Sequence, residues 1–323
     1  MKPSAILIGL AAGLASALLF AGLVTQSASA VGLSLVAPVP ILLASLGWGS
    51  LAGFLAAFTA AAAVALFTGS PGSGLMLLAS MALGSAIVGH LAGLARPIEE
   101  AGLRPAAANA NGPAAPLLDW YPLPRILMAI ALIASAGCLI LGWLIGFQAE
   151  TIAPQVAEAL VAQGGAAVDP ATRAQIEDLS RLVVRIIPFA QPAFLVMTLV
   201  AALYLAAAIT RASGRLMRPR DDVPAGASLP RAALAIFAIA LAGSFLGGTF
   251  GAIAAVFAGA FGAAFMLVGL GAFHFRTRGR AGRGLLLFTV YAAILLLTFP
   301  LLAFLIFGVV ETARSPHPQT PNP

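Results

Sequence analysis

The chain has 323 residues, 61% of them hydrophobic and 9% charged, with a mean hydropathy of +1.02. A soluble globular domain carries roughly 25% charged residues and a disordered chain pairs low hydrophobicity with high charge, so both classes are excluded. The formal charge of +6 does not point to nucleic acid, because the basic residues fall at the ends of apolar runs rather than on one face.

What remains is an all-α polytopic membrane protein. A membrane-crossing helix needs about 20 mostly apolar residues, whereas β-barrel strands alternate apolar and polar positions over about 10 residues, which this chain does not do. In chain order the candidate spans are residues 5–23, 31–47, 51–67, 75–94, 126–147, 187–209, 232–246, 251–273 and 285–310. The seventh and eighth come from one apolar stretch too long for a single helix, divided at Gly247-Gly248-Thr249. The count is nine spans, or eight if the short second or seventh fails to cross. Residues 1–95 form a four-span half and 96–124 a Pro-rich cytoplasmic linker. Residues 125–323 form a five-span half with an outer amphipathic segment at 150–185.

The basic residues orient the chain. With the N-terminus inside, only Arg173, Arg181, Arg185 and Arg314 fall outside, leaving thirteen of the 17 inside. The expected topology is N-in and C-out. Ala28-Ser29-Ala30 also fits the cleavage site of a secretory signal, but the preceding apolar stretch is longer than such signals use and Lys2 is its one basic residue.

In the outer segment, Asp169 is placed to cap a helix with Pro170 at its first position. Ile176, Leu179, Val183 and Ile186 then recur on one helical face, and Ile152, Val156 and Leu160 do the same upstream. Two short amphipathic helices over the bundle or on the membrane face are expected.

The spans contain no Asp, Glu, Lys or Arg, no paired carboxylates and no phosphate-binding Gly-Lys loop. No catalytic residues, metal site or cofactor are expected, and the protein is read as not an enzyme. Ser73 and His90 lie roughly 25 Å apart along a helix, too far for a hydrolytic pair. His90 is read as a packing histidine bonded to a neighbouring carbonyl, His274 as an interfacial anchor, and Cys138 as a small buried hydrophobe. Pro38 and Pro40 interrupt the second span, each removing a backbone donor. Broken helices line many transporter sites, so Pro38, Pro40 and Gln191 are the candidate substrate contacts. Pro188 is read as a first-turn proline of the sixth span. Small residues four apart at Gly9/Gly13, Ala11/Ala15, Gly247/Gly251 and Ala255/Gly259 fit close helix packing.

Three stretches carry a family likeness: Ala37-Pro38-Val39-Pro40 with Gly47, Gly49 and Gly53; the basic run from Arg211 through Arg215 and Arg218 to Pro219; and Gly269-Leu270-Gly271-Ala272-Phe273-His274. With them the chain resembles the DUF2232 (YybS-like) bacterial membrane proteins over nearly its whole length. That family is distantly similar to the substrate-binding components of energy-coupling-factor vitamin transporters and to rod-shape membrane proteins. The resemblance implies Ala11 and Ala15 as partner-docking positions on the first helix, although nine spans exceed the six or so of the vitamin-binding components. The predicted function is a non-enzymatic substrate-binding or transport component of the bacterial inner membrane, energised by a membrane coupling subunit. The alternative is a cell-envelope scaffold that recruits extracytoplasmic proteins through residues 150–185. Lys2 is the one lysine beside 16 arginines, and abundant Ala and Gly fit a GC-rich bacterial genome.

Overall fold

The structure is a computed structural model, described here for residues 3–21, 28–98, 118–163, 169–297 and 299–314. It is almost entirely helical. The first half comprises α1 (Pro3–Ala21), α2 (Ala28–Val36), α3 (Pro38–Trp48), α4 (Ser50–Thr68), α5 (Pro71–Leu77), a π-helical turn (Leu78–Ala82) and α6 (Leu83–Ala92). Two short antiparallel strands, β1 (Ala95–Pro97) and β2 (Leu118–Trp120), bracket the linker, with Arg96 paired to Asp119 at 2.8 Å. Residues 99–117, which hold most of the predicted linker, lie outside the described residues. The second half comprises α7 (Leu123–Leu144), α8 (Ala149–Gln163), α9 (Pro170–Ala212), α10 (Val223–Gly226), α11 (Ala232–Gly243), α12 (Gly248–Arg276), α13 (Arg283–Leu297) and α14 (Pro300–Arg314).

Among the described residues six helices are long and apolar enough to cross a membrane, or seven if α13 and α14 count as one bent span. Three of the nine predicted spans differ from expectation. The second is the short pair α2 and α3, and the seventh is α11, whose 12 residues reach only about 18 Å of a 30 Å hydrocarbon core. The ninth is a helix pair bent by 118°. Glu311 near its end bonds Arg276 at the close of α12, so the pair folds back toward α12's basic end instead of running straight to the far side.

Part of the break before α3 is closed by the protein itself. Pro38 cannot donate to the Ser34 carbonyl, which instead accepts from the Ala37 N–H at 3.2 Å. The Ala37 carbonyl accepts from Ser16 Oγ of α1 at 2.7 Å, and Ser16 is 1% exposed. Exposed backbone at membrane depth must be satisfied inside protein, and here α1 does so. Ser16→Ala should therefore cost about 1 kcal/mol. Unfolding by denaturing detergent would check it: an unchanged midpoint would mean the bond contributes nothing net.

Glycines on α1 allow that approach. A Cβ on Gly13 would stand 2.5 Å from the Ala56 carbonyl and 2.6 Å from Thr59 Cβ of α4. Gly9 meets Ala52 and Leu55 in the same way, so this predicted pair is a real helix contact. Ala11 is exposed and Ala15 half-buried on other sides of α1. Gly247 and Gly251 form no such interface: Gly247 has φ +73° and makes the turn that separates α11 from α12, as the division at Gly247-Gly248-Thr249 anticipates.

The outer segment differs more. Asp169 caps as predicted, accepting from the Ala171 and Thr172 N–H groups at 2.9 and 3.0 Å, and these bonds with the Thr172 hydroxyl hold its carboxyl below the usual range. The helix it starts is not a separate short one. It runs on as α9 for 43 residues, about 65 Å, through Pro188 and Pro192. Pro188 is thus an interior proline rather than a first-turn one. α8 packs back along the first part of α9. That contact buries Ala153 and Ala157 of α8, while on this stretch of α9 Ser180 and Val184 are buried; of the predicted apolar face, Ile176 is half-buried and Leu179, Val183 and Ile186 are exposed.

α12 is the centre of the second half and packs against α9, α14, α11 and α7. Phe261 and Phe265 are fully buried on it. Two apolar clusters share the core: one within α1, α3, α4 and the α5–α6 region, the other around α7, α9 and α12 with Val39, Leu42, Val88 and Ala92 reaching in from the first half.

Candidate functional site

The site forms at the end of the bundle where α6, α9 and α12 finish and α7 begins. Most of the basic residues gather there. α9 closes with Arg211 in its last turn, and Gly214 at φ +68° turns the chain into the loop 215–222. Arg215 lies over the Trp48 ring at 4.5 Å, which fastens this loop to the end of α3.

Arg218 points inward and is 7% exposed. Its guanidinium binds Asp221 in two-point fashion at 2.7 and 3.2 Å, and also donates to the carbonyls of Ala92 at 3.2 Å and Tyr121 at 3.0 Å. The Ala92 carbonyl belongs to the last turn of α6, where helix carbonyls lack intrahelical donors and a cation is favoured. One side chain therefore ties the end of the first half to the start of α7 and to the loop after α9. Asp222 caps α10 and is held by Arg278, which follows α12, at 2.5 and 2.6 Å. That bond keeps its carboxyl below the usual range, so the pair is ionised at neutral pH.

Above these pairs lies a cavity of about 1180 Å³. Its walls are apolar, with Ile126 and Ile130 of α7, Leu203 and Ala207 of α9, and Leu267 and Leu270 of α12. Its rim carries Arg211, Arg218, Arg220, Asp221, Asp222 and Arg278. Tyr204, 63% exposed, and Tyr291, 47% exposed, also line it from α9 and α13. His274 Nε2 and Tyr291 Oη lie 2.7 Å apart, so His274 belongs to the cavity lining rather than being only an interfacial anchor. A second cavity of about 840 Å³ lies beyond Leu46, Leu216 and Arg218, which line both.

The predicted substrate contacts sit elsewhere. Pro38 is buried, Pro40 half-buried and Gln191 exposed, and none of them lines either cavity. His90 is bonded, as expected for a packing residue, but its partner is the Ser50 hydroxyl of α4 at 2.7 Å and not a carbonyl. Cys138 is buried as read. Among the described residues no three His, Cys, Asp or Glu side chains group to hold a metal ion. In the sequence Arg211 and Arg218 read as topology markers and as part of the family likeness, and Arg220 and Arg278 as topology markers alone. The missed signal was Asp221-Asp222, an acidic pair directly after four arginines, which foretells ion pairing within that loop.

Helices of this length and apolarity define a membrane-type helix bundle with a cavity at its basic end. Comparison with protein-family models, with curated proteins and with solved structures gives no match.

Proposed function

We propose that the protein is a non-enzymatic substrate-binding or transport component of a bacterial inner membrane, with its basic end in the cytoplasm. The observation that carries this reading is the cavity of about 1180 Å³ among α7, α9 and α12, apolar in its walls and polar at one rim. Pockets of this size and character are where small molecules bind. The orientation rests on the bias of arginines to one end. The pairing of Glu311 with Arg276 favours a chain end on that same side, in place of the outer side expected from nine spans. Transport would draw energy from a partner, since the sequence carries no nucleotide-binding loop. The likeness to DUF2232 proteins, and through them to vitamin-binding components, belongs to this reading, with Ala11 and Ala15 as the docking positions for a coupling subunit.

The test is gentle purification followed by mass spectrometry of retained small molecules and accompanying proteins. The expected result is a stoichiometric small molecule that Leu203→Trp, which adds bulk to the cavity wall, displaces while leaving the fold intact. Retention unchanged by that variant would overturn the cavity as its place. A second reading, an envelope scaffold, is favoured by the α8–α9 hairpin, because α9 at about 65 Å far exceeds a bilayer core. Envelope proteins with no retained molecule, released by charge reversal at Glu177 or Arg181, would decide for the scaffold.

A further inference from the structure

The charges on the cavity rim do not balance. Asp221 is taken by Arg218 and Asp222 by Arg278, each in a two-point pair. Arg211 and Arg220 line the same rim, and among the described residues neither has a carboxylate partner. Arg211 makes only a long bond, 3.4 Å, to the Pro219 carbonyl, and Arg220 is exposed. Two guanidinium groups thus stand without a carboxylate at one end of a cavity whose walls on α7, α9 and α12 are mostly Leu, Ile and Ala.

The way in is also visible. Tyr204 lies within the apolar part of α9 and Tyr291 within α13, both substantially exposed, so the cavity reaches the bundle surface beside these two helices. None of α13 is buried, and its tyrosine meets His274 across the opening. Tyrosines of this kind sit where hydrocarbon meets head groups.

We infer that the cavity takes an amphiphile with an anionic head group, its apolar chain lying along α7, α9 and α12 and its phosphate or carboxylate held by Arg211 and Arg220. The inference rests on the cavity being the binding site, as proposed above, and adds the chemical class of what it binds. Guanidinium groups match such oxyanions in fork-to-fork geometry, and a rim beside the low-dielectric groove strengthens that attraction. A neutral amphiphile would gain the apolar contacts alone, and a cationic one would be repelled. The same chemistry is offered by a bilayer phospholipid and by a free single-chain anionic amphiphile.

The test is photolabelling of the full chain in phosphatidylcholine nanodiscs, with labelled peptides mapped by mass spectrometry. Three photoreactive probes are compared: dodecyl phosphate, phosphatidylglycerol and dodecyl maltoside. Labelling of α7, α9 and α12 by at least one anionic probe, about tenfold above the neutral one, is expected. Arg211→Gln with Arg220→Gln should reduce that labelling by about tenfold while the melting midpoint holds, and Ala207→Trp should remove labelling by every probe. A salt titration on the unaltered protein reads the same charge dependence without relying on variants. Labelling by dodecyl phosphate alone, or by phosphatidylglycerol alone, supports the inference and separates the two sources. Equal labelling by dodecyl maltoside, insensitive to salt and to the arginine variants, overturns the head-group inference yet leaves the cavity reading standing. No labelling of the groove by any probe overturns both.

Discussion

Arg218→Met is expected to destabilise the protein by about 3 kcal/mol, because one truncation orphans groups on three segments at once. The carbonyls of Ala92 and Tyr121 lose a charged donor, and Asp221 loses its two-point partner. The methionine would fill the volume without supplying a donor, so the loss reports the bonds and not a cavity. Arg218→Lys should recover less than half, since an ammonium cannot reach two carbonyls and a carboxylate in the planar fork that the site uses. Asp221→Asn should cost only about 1 kcal/mol, because Asp221 is a third exposed and water takes over its hydration. Equilibrium unfolding in denaturing detergent measures all three. An Arg218→Met midpoint within about 0.5 kcal/mol of the unaltered protein would show that water satisfies the carbonyls and that the clamp is dispensable.

The second large effect is expected where α12 meets α14. A Cβ on Gly269 would stand 1.9 Å from the Phe304 carbonyl oxygen, and one on Gly308 would stand 1.8 Å from that of Phe265. Those neighbours are backbone, so neither can rotate away, and the helices must separate to admit even a methyl group. Gly269→Ala or Gly308→Ala should cost about 3 kcal/mol, at the upper end of overpacking penalties. The double variant should cost little more than either single one, because the first separation already makes room for the second methyl. Gly142→Ala is the control: its nearest neighbour, Phe147 Cβ, is 3.8 Å from the added carbon. Amide exchange is the second readout. α14 should exchange faster in the Gly269 and Gly308 variants and unchanged in the Gly142 variant. Unaltered exchange in α14 would mean that this crossing does not hold it.

These two contacts show where sequence reading stops. Neither Gly269 nor Gly308 is distinguished by small-residue spacing, which has little power to choose in a chain with 34 glycines. Gly9/Gly13 was picked by the same spacing and is a true contact, while Gly247/Gly251 was picked and is a turn. Spacing reports which residues share a helix face; it does not report what stands opposite. The substrate site shows the same limit. Pro38 and Pro40 are candidate contacts because prolines free backbone carbonyls; Pro38 frees that of Ser34, which accepts from Ala37, whose own carbonyl accepts from Ser16. That last donor comes from α1, twenty-one residues earlier in the chain, and no local pattern could supply it.

The sequence by itself determined the helical class, most of the apolar helices, the cap at Asp169, the turn at Gly247 and the concentration of arginine at one end. Each follows from composition or from interactions within a few residues, which the chain carries wherever it goes. Only the tertiary structure decided that α9 runs on through Pro188, that α13 and α14 bend back, and that Arg218 ties α6, α7 and the loop after α9 together. It alone decided that Asp221 and Asp222 cancel two arginines and leave two others facing an apolar cavity. Such outcomes depend on which distant groups meet, and the energy of a buried charge or of a glycine crossing is set by that meeting.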